Sequence, residues 1–489
     1  MAYKHGAYGE ITTSKVTAAK QGDVVAAYIG TAPINLIRGY ADKDLINMPV
    51  KVANMSDAQN KLGYSDDWQT FTVCEAFAEH FDNTVGNVGP IYVINVLDPD
   101  AHKAAEATTK ELTVRNRRAE FESSDIILDT FAIADKVEGV DYALEYNFAK
   151  GTVIVKLLAD DTASSLTCSY NTVDTSSVET ADIIGQTTED GKYTGLHALK
   201  LIYQYHNAVL NTLAAPGWSH EPAVYRAMVG IVQKLNGHWD GFVHADIPLT
   251  GADGAAIDTR EKAIAWKDAN GYTSEFSKVY WPMIKDGDRI FHLSAAGQAT
   301  MQRIDLEHDG VPFESPSNKA IMATAQYFGE ESKNRGFDQE SANALNEKGI
   351  TTACFWGGRW VLWGPHTAAY TYNGDMDARA IFDVNVRMLM YITNRFQQDH
   401  GTRIDQPMTP QEKDSIKNAE MEKLDTLSGI GALIGDYSVD FLETENPVSD
   451  MMNGDFVWDF TVTNTPPMKS GTARVTYTDE GFAAFFGDE

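Results

Sequence analysis

Apolar residues fall along this chain in distinct rhythms. Val24 to Ile29 and Pro90 to Leu97 are unbroken apolar runs of the kind that form strands buried on both faces. Between them, Phe71, Cys74, Phe77, Ala78 and Phe81 recur at helical spacing and predict an amphipathic helix over Trp68 to Phe81. Strand, helix and strand in that order read as the start of an α/β layer. From about Glu111 to Glu189 the runs shorten: Leu112 to Val114, Ile126 to Ala134, Tyr142 to Phe148, Val153 to Leu158 and Leu166 to Tyr170, with turns at Gly139 and Lys150-Gly151. That spacing predicts a small all-β insert, closed by the Ser/Thr-rich linker SYNTVDTSSVETAD. Helical spacing returns at Leu196 to Leu213 and Glu221 to Leu235. A strand at Gly241 to Ile247, a helix at Thr259 to Ala269 and a strand at Lys278 to Trp281 follow. Alternation on this scale predicts a largely parallel sheet with helices on both faces.

The stretch from Thr351 to Phe396 is the most strongly patterned. Two runs rich in aromatic and β-branched residues, Thr351 to Trp356 and Trp360 to Trp363, flank Gly357-Gly358 and predict a hairpin. Asp375 or Asp377 can then cap a helix on which Ile381, Val384, Met388, Tyr391 and Ile392 recur, apolar nearly all round and therefore buried. Thr409 and Pro410 suit the cap and first position of a further helix to about Leu427, and Gly429 to Gly435 breaks it before a strand at Tyr437 to Leu442. Near the end, Phe456, Trp458, Phe460 and Val462 alternate with Asp455, Asp459, Thr461 and Thr463; beyond Pro466-Pro467 the alternation resumes at Ala473, Val475 and Tyr477. One-sided strands at the end of a chain need a sheet to join, their own or a neighbour's.

Length and composition narrow the class. At 489 residues there is room for about three domains. No run approaches the ~20 apolar residues that cross a bilayer, and MAYKHGAYGE lacks the apolar core of a secretory signal, so synthesis and folding in a cytoplasm are expected. Cys74, Cys168 and Cys354 lie far apart, which suits buried reduced thiols rather than a disulfide framework. A formal net charge of −29 argues against a nucleic-acid partner. The charge is also polarised, +2 over residues 1–40 against −8 over residues 440–489, which would steer one subunit's end onto another's.

The order of these parts carries a resemblance. A strand ending in a Trp-Gly turn, a loop, and a helix with Asn385-Val386-Arg387 closely resemble the carboxyl-terminal region of contractile tail sheath proteins, the outer-tube subunits of myophages and phage-tail-like bacteriocins. The AYIGTAP opening, the strand that turns at Asp98-Pro99-Asp100, APGWSH, Asp246-Ile247-Pro248, Tyr280-Trp281-Pro282 and the loop GVPFESPSNKAI from Gly310 to Ile321 are similar to the rest of that family. The resemblance implies a non-catalytic, subtilisin-like α/β fold interrupted by a β-sandwich, followed by an α+β domain, with extended arms at both ends. The expected divisions are an arm at 1–20, the first α/β part at 21–105, the insert at 106–192, the remaining α/β part at 193–348, the carboxyl-terminal domain at 349–465 and an arm at 466–489. It implies a homopolymer sleeved around an inner tail tube protein, meeting baseplate and tail terminator proteins, without cofactor, nucleic acid or membrane insertion. The arms would add strands to neighbours through Ile11, Thr13, Val16, Phe456, Trp458, Phe460, Val475 and Tyr477, the last two being the stronger donors. Lys413 and Lys417, one turn apart, are candidates for facing the tube, as are Arg379, Arg387 and Arg395; solvated faces are the plainer explanation.

A subtilisin-like sheet raises the question of hydrolysis. Asp246, His220 and Ser294 are the most arguable Ser-His-Asp trio, yet none lies in a nucleophile or His-Gly motif. Gly429, Gly431 and Gly435 have the wrong spacing and a preceding helix, so they read as a turn rather than a dinucleotide loop. His5, His80, His102 and His400 show no metal-ligand spacing. A serine hydrolase, or another phage structural component such as a baseplate or capsid protein, are the alternative readings.

Overall fold

The computed structural model describes residues 24–158, 163–330, 332 and 337–485. Its centre is an eight-stranded sheet in the spatial order Arg359–Trp363, Ile350–Trp356, Ser277–Tyr280, Phe242–Asp246, Leu210–Ala214, Val25–Gly30, Ile91–Asn95, Pro49–Val52. The six inner strands run parallel, and each edge is closed by one antiparallel strand. Inner strands such as Val25–Gly30 are buried at every position, which explains their unbroken apolar runs.

Helices cover both faces. On one face Tyr225, from Pro222–Val232, hydrogen-bonds Ser277 at 2.8 Å. On the other lies Leu293–Glu307, close enough that a Cβ on Gly297 would sit 2.5 Å from the Tyr280 ring. The Leu293–Glu307 helix has no counterpart in the hydropathy pattern. It is buried nearly all round, but its first turns from Ser294 to Thr300 hold only Ser, Ala, Gly, Gln and Thr, so it shows no apolar stripe. Its glutamines bond backbone instead: Gln298 Nε2 donates to the Ala27 carbonyl at 2.9 Å, and Gln302 Nε2 to those of Val24 and Pro90, each at 2.8 Å.

Three expected helices change. The helix expected over Leu196 to Leu213 ends at Asn207, which takes left-handed backbone (φ 49°), and Leu210–Ala214 becomes a central strand. The helix expected over Trp68 to Phe81 is shorter, Val73–Phe81, and buried on all sides rather than amphipathic. Asp377 accepts from the Arg379 N–H and caps only the 3-10 turn Ala378–Ala380, while the long helix Asp383–His400 starts after Phe382 with no side-chain cap. The Gly357-Gly358 hairpin is present, both glycines at positive φ as a tight turn between right-twisted strands requires.

Residues 108–170 form two three-stranded antiparallel sheets, Thr108–Thr113 with Ser165–Tyr170 and Ala132–Ile133, and Arg118–Glu122 with Thr152–Leu157 and Tyr142–Asn147. Their inner faces share a core in which Phe121 stacks on Tyr170 and Phe131 meets Tyr142 edge-on. Arg118–Glu122, RAEFE, is hidden from hydropathy by its three charged outer positions, whereas Ile126 to Ala134 keeps only a two-residue strand after the 3-10 turn Leu128–Thr130. The linker SYNTVDTSSVETAD carries a short helix, Thr180–Ile184. At the other end, Asp383–His400 and Pro410–Gly429 pack with a two-stranded sheet, Ser438–Asp440 and Asp459–Thr461, around Met388, Leu424, Leu427, Leu433 and Val439.

Candidate assembly surface

The arguable catalytic trio does not come together. Ser294 is fully buried, and its hydroxyl and backbone N–H donate to the two oxygens of Asp246, at 2.5 and 2.9 Å. Asp246 therefore caps the first turn of the Leu293–Glu307 helix. The His220 ring lies 3.6 Å from Glu221 rather than between serine and aspartate. Ser294 is sealed from solvent and its hydroxyl is held by the capping carboxylate rather than by an imidazole, which is not the Ser-His-Asp arrangement that activates a nucleophile.

The other candidates are also structural. Gly431 and Gly435 take positive φ and make the turn after Pro410–Gly429. His80 is buried between the Tyr28 hydroxyl and the Val88 carbonyl, His102 accepts from the Asp98 N–H, and His400 pairs with Glu420. His5 lies outside the described residues. Among the described residues no three His, Cys, Asp or Glu side chains gather as a metal site, and no helix is long and apolar enough to cross a membrane. Cys74, Cys168 and Cys354 are buried free thiols.

One buried titratable group flanks this region unused. Glu79 has its carboxyl pushed up to about 8 by burial and then by the neighbouring Glu75, with Arg289 opposing. At His292, burial works against the charged ring, but contact with Glu75 outweighs it and lifts the imidazole to about 9. Both groups hold a proton when folded that the unfolded chain would already have released, so stability falls as pH rises. The steepest loss lies between about 6.5 and 8, where both act, at up to about 1.4 kcal/mol per pH unit for each group. Thermal midpoints at pH 6 and pH 8.5 should therefore differ, with the lower at pH 8.5. Glu79→Gln should narrow that gap, and an unchanged gap would contradict the assignment.

Lys413 lies 2.8 Å from Asp414 and over the Phe441 ring, and Lys417 reaches Asp440 at 3.2 Å, so both are engaged beside the two-stranded sheet. The three arginines spaced eight apart do not share a role. Arg379 is exposed and bonds Glu275, Arg395 is exposed beside Asp399, and Arg387 is buried in an ion pair with Asp305.

The terminal residues divide sharply. Ile11, Thr13 and Val16 lie outside the described residues. Phe456, Trp458 and Phe460, expected as donors to a neighbour, are occupied at home. Asp459–Thr461 pairs with Ser438–Asp440, Trp458 and Phe460 pack on the helix pair, and Phe456 lies near Trp458 and Phe441. The strand from Tyr437 was near enough in sequence to take them. Val475 and Tyr477 are different: residues 466–478 belong to no helix or strand, and these two side chains are 92% and 81% exposed. Among the described residues the two-stranded sheet meanwhile has no further strand on either side. The hairpin tip adds exposed Phe355 and Trp356, aromatic surface at the end of a strand that is buried from Ile350 to Cys354.

No family model matches the chain. It is 26% identical over 498 residues to the tail sheath protein of Burkholderia phage BcepMu, across 97% of this chain and 96% of that one. A putative prophage major tail sheath protein of Pseudomonas aeruginosa is 25% identical across 63% of this chain and 75% of its own. A chain from the contracted sheath complex of an extracellular contractile injection system shares the fold with a TM-score of 0.56 at 13% identity, covering 98% of this chain and 99% of that one.

Proposed function

We infer that this chain, which belongs to the contractile tail sheath family, is a structural subunit that polymerises helically around an inner tube and contracts to drive that tube through a target envelope. The observation that carries the assembly step is the arm. The one-sided alternation from Ala473 to Tyr477 lies exposed on a stretch with no helix or strand of its own, and the two-stranded sheet has no third strand among the described residues. An unpaired edge is a template for another chain's backbone, and main-chain hydrogen bonds supply the affinity. Donating 466–478 to the next copy's Ser438–Asp440 or Asp459–Thr461 edge is a heterologous contact, which generates an open helix rather than a closed dimer.

Contraction then needs two packings of the same bodies joined by tethers that do not break. Extended arms provide the tethers, and the free-energy difference between the packings provides the work. The same proposal takes the sheet unit as subtilisin-like without its chemistry, the residues near 106–192 as an inserted sandwich and 349–465 as the assembly domain. The first twenty residues form a second arm in this scheme, and Lys413 and Lys417 remain the candidates nearest the tube. Tube, baseplate and terminator proteins are the partners, and the sheath is built in a bacterial cytoplasm as part of a virion tail or tail-like particle.

Purified full-length protein at high concentration should form hollow tubes in negative stain, alone or with the tube protein co-expressed. Monodisperse monomers under both conditions would overturn the proposal.

A further inference from the structure

The arm does not end at its strand. Beyond Tyr477 the sequence runs TDEGFAAFFGDE, with four carboxylates and no Lys or Arg from 479 to 489. Phe482 and Phe485 stack on each other with ring centroids 6.1 Å apart, 54% and 81% exposed, on the 3-10 turn Glu480–Phe485. Exposed paired rings beside a cluster of acids are costly unless something covers them.

A surface of matching chemistry lies on the sheet unit. The end of the Pro222–Val232 helix, the turn after it, the Leu201–His206 helix and the end of Asp383–His400 enclose a groove of about 1150 Å³. Tyr203 and Trp239, 5.4 Å apart, form its aromatic wall, and Ile404 stands exposed at the rim. The indole N–H of Trp239 has no hydrogen-bond partner. Its basic side chains are Lys200, Lys234, His238 and His400, and no Asp or Glu is among the residues that line it. Lys234 reaches out to Asp240, whereas Lys200 sits over the Tyr193 ring with no carboxylate in ion-pair range among the described residues. In a chain of net charge −29, a groove that is both aromatic and basic stands apart.

We propose that this groove receives the acidic aromatic tip of a second copy, residues 479–489, with Phe482 and Phe485 against Tyr203 and Trp239 and the carboxylates of Asp479 and Glu480 against Lys200 and Lys234. The inference rests on the arm reading and extends it from the strand to a terminal anchor. Reach allows it: the last main-chain bond from the tail to the body is Thr465 to Ala432, Lys469 still lies over the Tyr372 ring, and the chain from Lys469 to Phe482 spans up to about 43 Å when extended. A strand fixes register along an edge, while an anchored tip resists peeling of the strand that precedes it, so the two contacts reinforce each other through the short linker between them.

The test is photocrosslinking of the full chain with Phe485 replaced by benzoylphenylalanine, using a mixture of isotopically light and heavy protein at assembly concentration. Crosslinks that join two copies and map to residues 193–239 or 396–404 are expected. In the Lys200→Glu/Lys234→Glu chain their yield should fall by about fivefold, and raised salt should weaken them in the unsubstituted chain. Crosslinks confined to one copy, to another surface or to the tube protein, or none at all, would overturn the proposal, as would a yield indifferent to charge reversal. A parallel crosslinker at Val475 separates the two levels: capture of a neighbour from Val475 but not from Phe485 leaves the arm exchange standing and removes only the anchor.

Discussion

Lys278→Met is expected to lower the unfolding free energy by about 3–5 kcal/mol. Lys278 projects from the Ser277–Tyr280 strand and Asp383 begins the Asp383–His400 helix, and both side chains are fully buried. The ammonium lies 2.5 Å from one Asp383 oxygen and 3.0 Å from the His366 carbonyl, while the other Asp383 oxygen has no partner. Burial pulls the lysine's pKa down, and Asp383 and its hydrogen bond oppose that pull. Methionine fills similar volume but strands a carboxylate in the interior, beside a second buried pair, Arg387 with Asp305. Lys278→Met/Asp383→Leu, which removes both charges, should recover most of the loss. Denaturant midpoints of the two variants check this, and a single variant as stable as the parent would show that the pair clamps nothing. The clamp matters for a contractile subunit because it ties the long helix to the central sheet, so that force on the arm moves a rigid body.

Deleting residues 470–489 is expected to abolish tube formation while leaving the monomer folded. Residues 470–482 are all exposed, so removing the arm should shift stability by no more than about 0.5 kcal/mol. Its loss takes away the strand donated to the neighbour and, with it, every main-chain bond between copies that the arm supplies. Circular dichroism and the thermal midpoint should match the full chain, while sedimentation and negative stain should show monomers. Tubes assembling normally from the truncated chain would remove the arm from the account.

The sequence's legibility followed its physics. Strands buried on both faces, such as Val25–Gly30 and Phe242–Asp246, announce themselves as apolar runs, and Gly357-Gly358 marks its hairpin because only glycine takes both positive-φ positions without strain. The Leu293–Glu307 helix stayed hidden because close approach to Tyr280 demands small residues, which carry no hydropathic stripe. Leu210–Ala214 read as helix because short apolar runs fit both periods and only pairing with Val25–Gly30 and Phe242–Asp246 decides. Asp246 and Ser294 showed as chemistry in one dimension and resolve into a helix cap in three. Alternation identified both Phe456 to Val462 and Ala473 to Tyr477 as strands in need of a sheet, but not whose. The first finds Ser438–Asp440 in its own chain, and the second finds none among the described residues. The basic aromatic groove was beyond sequence altogether, because Lys200, Lys234 and Ile404 meet only when three separate segments pack together.

The most direct test of arm exchange is a helical reconstruction of the assembled tube at a resolution that traces the backbone. Residues 466–478 of each subunit should leave their own body and pair in register with the outer edge of Ser438–Asp440 or Asp459–Thr461 of a neighbour. Density showing that stretch folded back on its own chain, with neighbours held only by contacts between their packed bodies, would contradict it.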